Sequence, residues 1–222
     1  MVSPARQVAF DVLHRVHDGG YAGDLLVARS AQLAARDAGL CSEIVFGCLR
    51  YQAQLDHLIA LLAPGKLDIQ VRIALRMGVY QLRYLDRIPA HAAVSDSVEL
   101  VKRARKASAA GLVNAVLRKV DRKPVAWPDR ATELSAPQWL IDKWDRRFGP
   151  EAADKIAVAA LQPAETHIAS TGRIQDIGAQ SVVPLLDLHP GLTLLDLCAA
   201  PGNKTAQALA YGVHTVACDL HW

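Results

Sequence analysis

Through the first 123 residues the apolar positions recur every three or four places, the spacing of one face of an α-helix. Ser3-Pro4 reads as an N-cap with proline at the first helical position. Val8, Val12, Leu13 and Val16 follow at helical spacing, and Gly19-Gly20 stops the run. A second helix is predicted from about Asp24 to Ala35, and a third from near Asp37 through Ile44, Val45, Cys48 and Leu49. Leu55, Leu58, Ile59 and Leu62 form a fourth apolar face, closed by Pro64-Gly65. Val71, Leu75, Val79 and Leu82 mark a helix over Ile69–Leu85, broken at Ile88-Pro89. Two more follow: about Ala92 to Lys106, with Val94, Val98 and Val101 inward, and Ala109 to Val120, with Leu112, Val116 and Leu117. Nothing here alternates with period two, so the region reads as an all-α bundle.

The pattern then changes. Pro124, Pro128 and Pro137 punctuate a stretch with few apolar positions, a linker or surface crossing that Trp127 would pin down. Helices over Gln138–Phe148 and Glu151–Leu161 are split by Gly149-Pro150. Trp139, Leu140, Trp144 and Phe148 mark an apolar face, expected to pack rather than to stack bases. Another helix is predicted over Ile174–Gln180, continuing through Ser181–Leu188 to a turn at Pro190-Gly191. Leu192–Leu197 has the length of a buried strand. A small-residue turn, Cys198–Asn203, leads into a helix over Lys204–Tyr211, and a second strand, Val213–Cys218, ends at Asp219. Such a strand–turn–helix–strand unit is half of a nucleoside-binding crevice. Ligands of open α/β sheets sit beyond the carboxyl ends of strands, where small residues admit them to the backbone and an acidic side chain takes ribose hydroxyls.

At 222 residues the chain has room for one large or two ordinary domains, and at 51% hydrophobic it can bury a core. The net charge of +3 is unevenly spread. Lys102, Arg103, Arg105 and Lys106 form one basic cluster, and Arg118, Lys119, Arg122 and Lys123 another. Either suits a phosphate backbone, or equally a solvated helix end. The four cysteines make no CxxC pair and no metal spacing. Cys41 and Cys48 fall on one helix face and read as core; Cys198 and Cys218 likewise read as packing residues. No metal, no membrane span and no leader are expected, and a reducing cytoplasm is the expected compartment.

Asp196–Thr205, DLCAAPGNKT, resembles motif I of the RNA 5-methylcytosine methyltransferases, usually DLCAAPGGKT. Asn203 replaces the second glycine of that motif. Glycine serves positive φ or a close backbone approach, and asparagine is the next most tolerant of the left-handed region. Met77–Leu82, Arg87–Val94, Ser97–Lys102 and Val113–Arg118 resemble the transcription-termination factor NusB, a helical RNA-binding module. The basic N-terminal region of that family is reduced here to Arg6, His14, Arg15 and His17. Pro137–Trp144 and Gln175–Gln180 resemble the linker and the QDxxSQ segment of the bacterial Sun-type 16S rRNA (cytosine-C5)-methyltransferases, which join both domains. The chain is shorter than that family between about Ser170 and Arg173.

The resemblance implies a NusB-like RNA-binding helical bundle (1–123), a linker with a small helical subdomain (124–164), and the start of a Rossmann-like α/β domain (165–222). It implies S-adenosyl-L-methionine, with Cys198, Ala199, Ala200, Pro201, Gly202, Asn203 and Lys204 around its methionine and ribose, and Asp219 on the ribose hydroxyls. Asp196 is expected to orient the loop or to meet the cofactor's ammonium through water. It implies 16S rRNA as the RNA partner, with Lys102, Arg103, Arg105 and Lys106 as candidate contacts. Family members add a cysteine thiolate to cytosine C6, from PCS-like and TCS-like motifs that these residues do not contain. No residue is therefore assigned to catalysis. The chain reads as the N-terminal portion of such an enzyme, inactive by itself and with open strand edges. The alternatives are a NusB-like RNA-binding module without catalysis, or a chain whose sheet is completed by another polypeptide.

Overall fold

The computed structural model describes residues 2–220. The chain forms two compact units, divided between Gln162 and Pro163. In the first, seven α-helices among the described residues precede residue 120: α1 Pro4–His17, α2 Ala22–Ser30, α3 Ala35–Arg50, α4 Gln52–Leu62, α5 Ile69–Tyr84, α6 Ala90–Arg103 and α7 Ala110–Leu117. They enclose one core, with α5 at its centre: Val71, Leu75, Met77 and Val79 are all buried. Against it pack Val12 and Leu13 of α1, Cys41, Ile44 and Cys48 of α3, and Leu55 and Ile59 of α4.

Several expectations shift in detail. The second helix ends at Ser30, whose hydroxyl turns back to the Leu26 carbonyl (2.6 Å). On α6 the deep stripe is Ala93, Ser97, Leu100 and Val101; Val94 and Val98 flank it. On α7, Val113, Val116 and Leu117 face inward, so Leu112 lies on the exposed flank. Ser3 does occupy the N-cap position, but its hydroxyl accepts from Arg6 (3.0 Å) and not from the helix backbone.

Two polar networks fix the helices. Arg6 is buried and gives its guanidinium to Gln81 of α5 (2.6 Å) and Asp96 of α6 (3.1 Å). It is therefore a structural residue of the core and no part of a basic surface. Tyr80 stacks on Tyr84 and donates to Glu43 (2.5 Å). Gly47 of α3 makes room for this: a Cβ there would lie only 1.9 Å from Cζ of Tyr80.

Residues 124–162 fold back on α4 within the same unit. Trp127 packs against His57 with ring centroids 5.8 Å apart. Helix α8, Arg130–Glu133, is capped by Asp129, which accepts from the Thr132 N–H (2.7 Å). The Glu133 carbonyl and the Ser135 hydroxyl accept from Gln54 (2.5 Å) and the Ala53 N–H (3.1 Å). Helices α9, Gln138–Phe148, and α10, Pro150–Ala160, pack on each other, and Arg130 ties them through Asp145 (2.7 Å) and Asp154 (2.7 Å). The buried residue of α9 is Ile141; Trp139 and Phe148, expected to pack, are 65% and 51% exposed.

In the second unit a short hairpin, bridged at Ile168 and Ile174, precedes a single helical turn, α11 Ile177–Gln180. The helix predicted across Ile174–Leu188 is thus broken. Asp176 caps α11 by accepting from the Ala179 N–H (3.0 Å), and Pro184 sits in a separate 3₁₀ turn, Val183–Leu186. Strands β1, Thr193–Asp196, and β2, His214–Ala217, pair in parallel, with Leu195 opposite Val216. Helix α12, Asn203–Leu209, crosses between them. The core here is small: Val183, Ala208 and Val213, with Leu188 and Leu194 against it. Leu195 and Val216 remain more than half exposed.

Candidate functional site

The loop from β1 to α12 is held at the carboxyl ends of both strands. Asp196 closes it from below: its carboxylate accepts from the Cys198 N–H (3.2 Å) and the Thr205 hydroxyl (2.7 Å). The Cys218 N–H donates to the Asp196 carbonyl (2.7 Å), and the Ala199 N–H to the Cys218 carbonyl (3.0 Å). Asp219 accepts from the Ala200 N–H at 2.8 Å. The carboxylate just after β2 thereby holds the loop.

Gly202 carries the left-handed backbone that the turn requires, with φ +89°. Asn203 is the first residue of α12, in helical backbone, so the tolerance of asparagine for positive φ is not called upon. Its side chain donates to the Ile174 carbonyl (3.0 Å) and ties the loop to the hairpin.

A cleft of about 190 Å³ opens beside this loop. Cys198, Ala199, Ala200, Pro201, Asn203 and Lys204 line one side. Gln175, Asp176 and Ala179 line the other, and no role had been foreseen for them. The signal was the QDxxSQ resemblance, which fixed their order in the chain but not their position. Gln175 is buried, and its Oε1 has no hydrogen-bond partner. Its amide Nε2 meets Gln207 (3.4 Å), Gln207 donates to the Gln180 carbonyl (2.7 Å), and Gln180 to the Gln175 carbonyl (2.9 Å). Three glutamines thus lock the hairpin, α11 and α12 together. Gly202 and Thr205 face a second hollow on the other side of the loop.

Cys198 and Cys218 are both exposed, which corrects the expectation that they pack. Among the described residues no group of three His, Cys, Asp or Glu side chains could hold a metal ion. Among the described residues, no helix is long and apolar enough to cross a membrane.

The basic cluster ends α6. Lys102 pairs with Glu99 (2.6 Å), Arg103 donates to Gln7 (3.0 Å), and Lys106 pairs with Asp68 (2.8 Å). Lys102 holds the Glu99 carboxyl below the usual carboxylate range. Arg105 is exposed and has φ +61°, the place in a helix C-cap where glycine is usual. In the second basic cluster, Arg122 serves the fold: it donates to the Leu82 (3.0 Å) and Leu85 (2.7 Å) carbonyls and pairs with Asp86.

Residues 3–122 match the NusB family. The chain belongs to the NusB family. Beyond those residues its relatives extend the match through the second unit. "Ribosomal RNA small subunit methyltransferase B" of Thermus thermophilus is 34% identical over 97% of this chain and 60% of its own length. "Probable ribosomal RNA small subunit methyltransferase B" of Bacillus subtilis is 30% identical over 90% of this chain and 58% of its own. The NusB-family chain therefore spans about three-fifths of the length of these relatives. The second alignment runs over 261 positions, more than the 222 residues present, so that relative carries insertions. The crystal structure of PH0851 has the same fold, with a TM-score of 0.60 at 14% identity over 97% of this chain and 63% of that one.

Proposed function

We propose that this chain binds RNA through its helical unit and presents part of an S-adenosylmethionine cleft for methylating cytosine C5 of 16S rRNA. In this reading residues 1–123 are the RNA-binding domain, 124–164 a connector and 165–222 the start of a Rossmann-like domain. The observation that carries it is the Cys198–Asn203 loop, tied to the carboxyl ends of two parallel strands by Asp196 and Asp219. The names of the relatives support methyl transfer to ribosomal RNA.

The residues present fit part of the cofactor. Ala199 and Ala200 leave the backbone approachable, and Asp219 is a carboxylate at a strand end, suited to ribose hydroxyls. Buried Gln175 is among the residues that line the cleft, and its Oε1 has no hydrogen-bond partner. A volume of about 190 Å³ is below the roughly 300 Å³ at which ligand sites begin, so these residues hold a portion only. S-Adenosylmethionine would supply the methyl group. The loop's part is to orient it, with Asp196 keeping the turn in register. Methyl transfer by these residues alone is not expected, since none of them is assigned as nucleophile or base.

A second reading, an RNA-binding module without catalysis, is favoured by the contrast between the continuous helical core and the few buried residues of the second unit. Calorimetry with S-adenosylmethionine separates the two. Saturable binding that Asp219→Ala abolishes supports the cofactor reading. Absent heat, with RNA binding retained, leaves the module.

A further inference from the structure

At one end of the helical unit a cavity of about 480 Å³ lies between α1, α3, α4 and α5, outside the surface assigned so far. Val16, Leu49 and Ile73 give it an apolar wall, and His17, Arg72, Arg76 and Asp56 its polar lining. Arg76 and Asp56 neutralise each other through a two-pronged pair at 2.7 and 2.6 Å. Arg72 lies one turn earlier on the same face of α5. Neither its side chain nor that of His17 has a hydrogen-bonding or acidic partner among the described residues. An apolar wall beside unpaired positive charge suits a ligand with a flat apolar body and an anionic group. A nucleotide has both, and the volume lies within the roughly 300–1,000 Å³ of ligand sites.

The surroundings say how that nucleotide is presented. Asp68, the residue before α5, pairs with Lys106 (2.8 Å), and Gln70 meets His14 (3.3 Å). A shallower hollow beside them is lined by His14, Arg15, Arg29 and Ala104. The first turn of α5 thus lies between the basic end of α6 and the cavity, with Arg15 and Arg29 on the way. The acidic groups along this track are Asp11, Asp18 beside His14 (3.3 Å), and the paired Asp56 and Asp68. The track suits a phosphate backbone leading to a pocket for one base. A duplex cannot offer its base in this way, whereas a single strand can.

We infer that the cavity takes one unstacked nucleotide of a single-stranded RNA, with Arg72 and His17 on its phosphate and Val16, Leu49 and Ile73 against its base. The inference rests on the RNA-binding reading and names a subsite for it. The test is fluorescence anisotropy of the full chain with a labelled single-stranded RNA of mixed sequence and a hairpin duplex of equal length. Arg72→Ala should weaken single-strand binding about tenfold and lower the salt slope by about one phosphate. Duplex binding should stay unchanged, and Arg72→Lys should restore part of the loss. Lys155→Ala on α10, with the same change of charge, should leave both unchanged. A thermal melt verifies that each variant folds. Unchanged affinity in Arg72→Ala and His17→Ala, with Lys106→Ala weakened, overturns the subsite and leaves the RNA reading standing. Equal losses on single strand and duplex overturn base insertion. A wild-type chain that binds neither RNA overturns the RNA reading, and the subsite with it.

Discussion

At the scale of single residues, the thiols divide by burial. Cys41 and Cys48 are enclosed in the core, and burial pushes the Cys41 pKa up to about 11 and raises that of Cys48 as well. Both would ionise near pH 8.5 in the unfolded chain. Because their folded values are raised, the stability they contribute is complete below about pH 8.5 and is lost as pH rises through the folded values. Urea melts between neutral and alkaline pH should show this loss, and the Cys41→Ala, Cys48→Ala double variant should flatten it. Iodoacetamide should modify Cys198 and Cys218 in the native chain and spare Cys41 and Cys48, read by peptide mass spectrometry. Arg105 gives a sharper case. Its left-handed backbone costs about 1–2 kcal/mol for a side chain with a Cβ. Arg105→Gly should therefore raise stability by about 1 kcal/mol while weakening RNA binding, a split that chemical denaturation and anisotropy resolve together. Residue types were legible where burial followed spacing, as at Cys41, Ile44 and Cys48. They were not legible at Asn203, because sequence does not say which of two adjacent positions bears the positive φ. Gly202 bears it here.

At the scale of elements, helical boundaries followed the spacing where a run ended in a strong stop, as at Pro64-Gly65 and Ile88-Pro89, and drifted where none stood, as at the end of α2. Faces were harder. A period of three or four fixes a stripe only to within one position: of Val94, Val98 and Val101, expected inward, Val101 is buried, while Ala93, Ser97 and Leu100 take the places beside Val94 and Val98. The polar networks were not legible at all, since Arg6, Gln81 and Asp96 are far apart in sequence. Their burial makes them consequential: Arg6→Ala leaves Asp96 without its cation and should cost about 3–5 kcal/mol in a denaturant titration. Arg130 does the same work between α8, α9 and α10, nearer the surface. It holds the Asp145 carboxyl below the usual carboxylate range. A depressed value means that this contribution is present above about pH 4 and is lost as pH falls through the folded pKa. Acid titration of Arg130→Ala should lack that limb. Loop geometry at the cleft was partly legible. Motif order placed Cys198–Lys204 beside a strand end, but Gln175 and Asp176 reach the cleft from the end of the hairpin, where Asp176 caps α11.

At the scale of the whole molecule, burial is unequally shared. The first unit surrounds α5 with apolar side chains from most of its helices; the second rests on a handful, and its sheet keeps Leu195 and Val216 exposed. Residues 1–162 expressed alone should therefore melt cooperatively, with the same midpoint as the helical transition of the full chain, measured by circular dichroism. The change of spacing from helical to strand-like is visible along the chain; the structure divides between Gln162 and Pro163, with the connector expected at 124–164 folded into the helical unit up to Gln162. The thinness of the second core was less legible, because hydrophobic runs such as Leu192–Leu197 look buried until their neighbours are counted. This asymmetry has a practical side. Most of the helical residues and most of the buried core belong to the first unit, whereas the Cys198–Asn203 loop belongs to the second. A library of variants sorted for solubility or melting temperature would be sorted on the first unit alone, and carriers of a ruined cleft would pass through unnoticed.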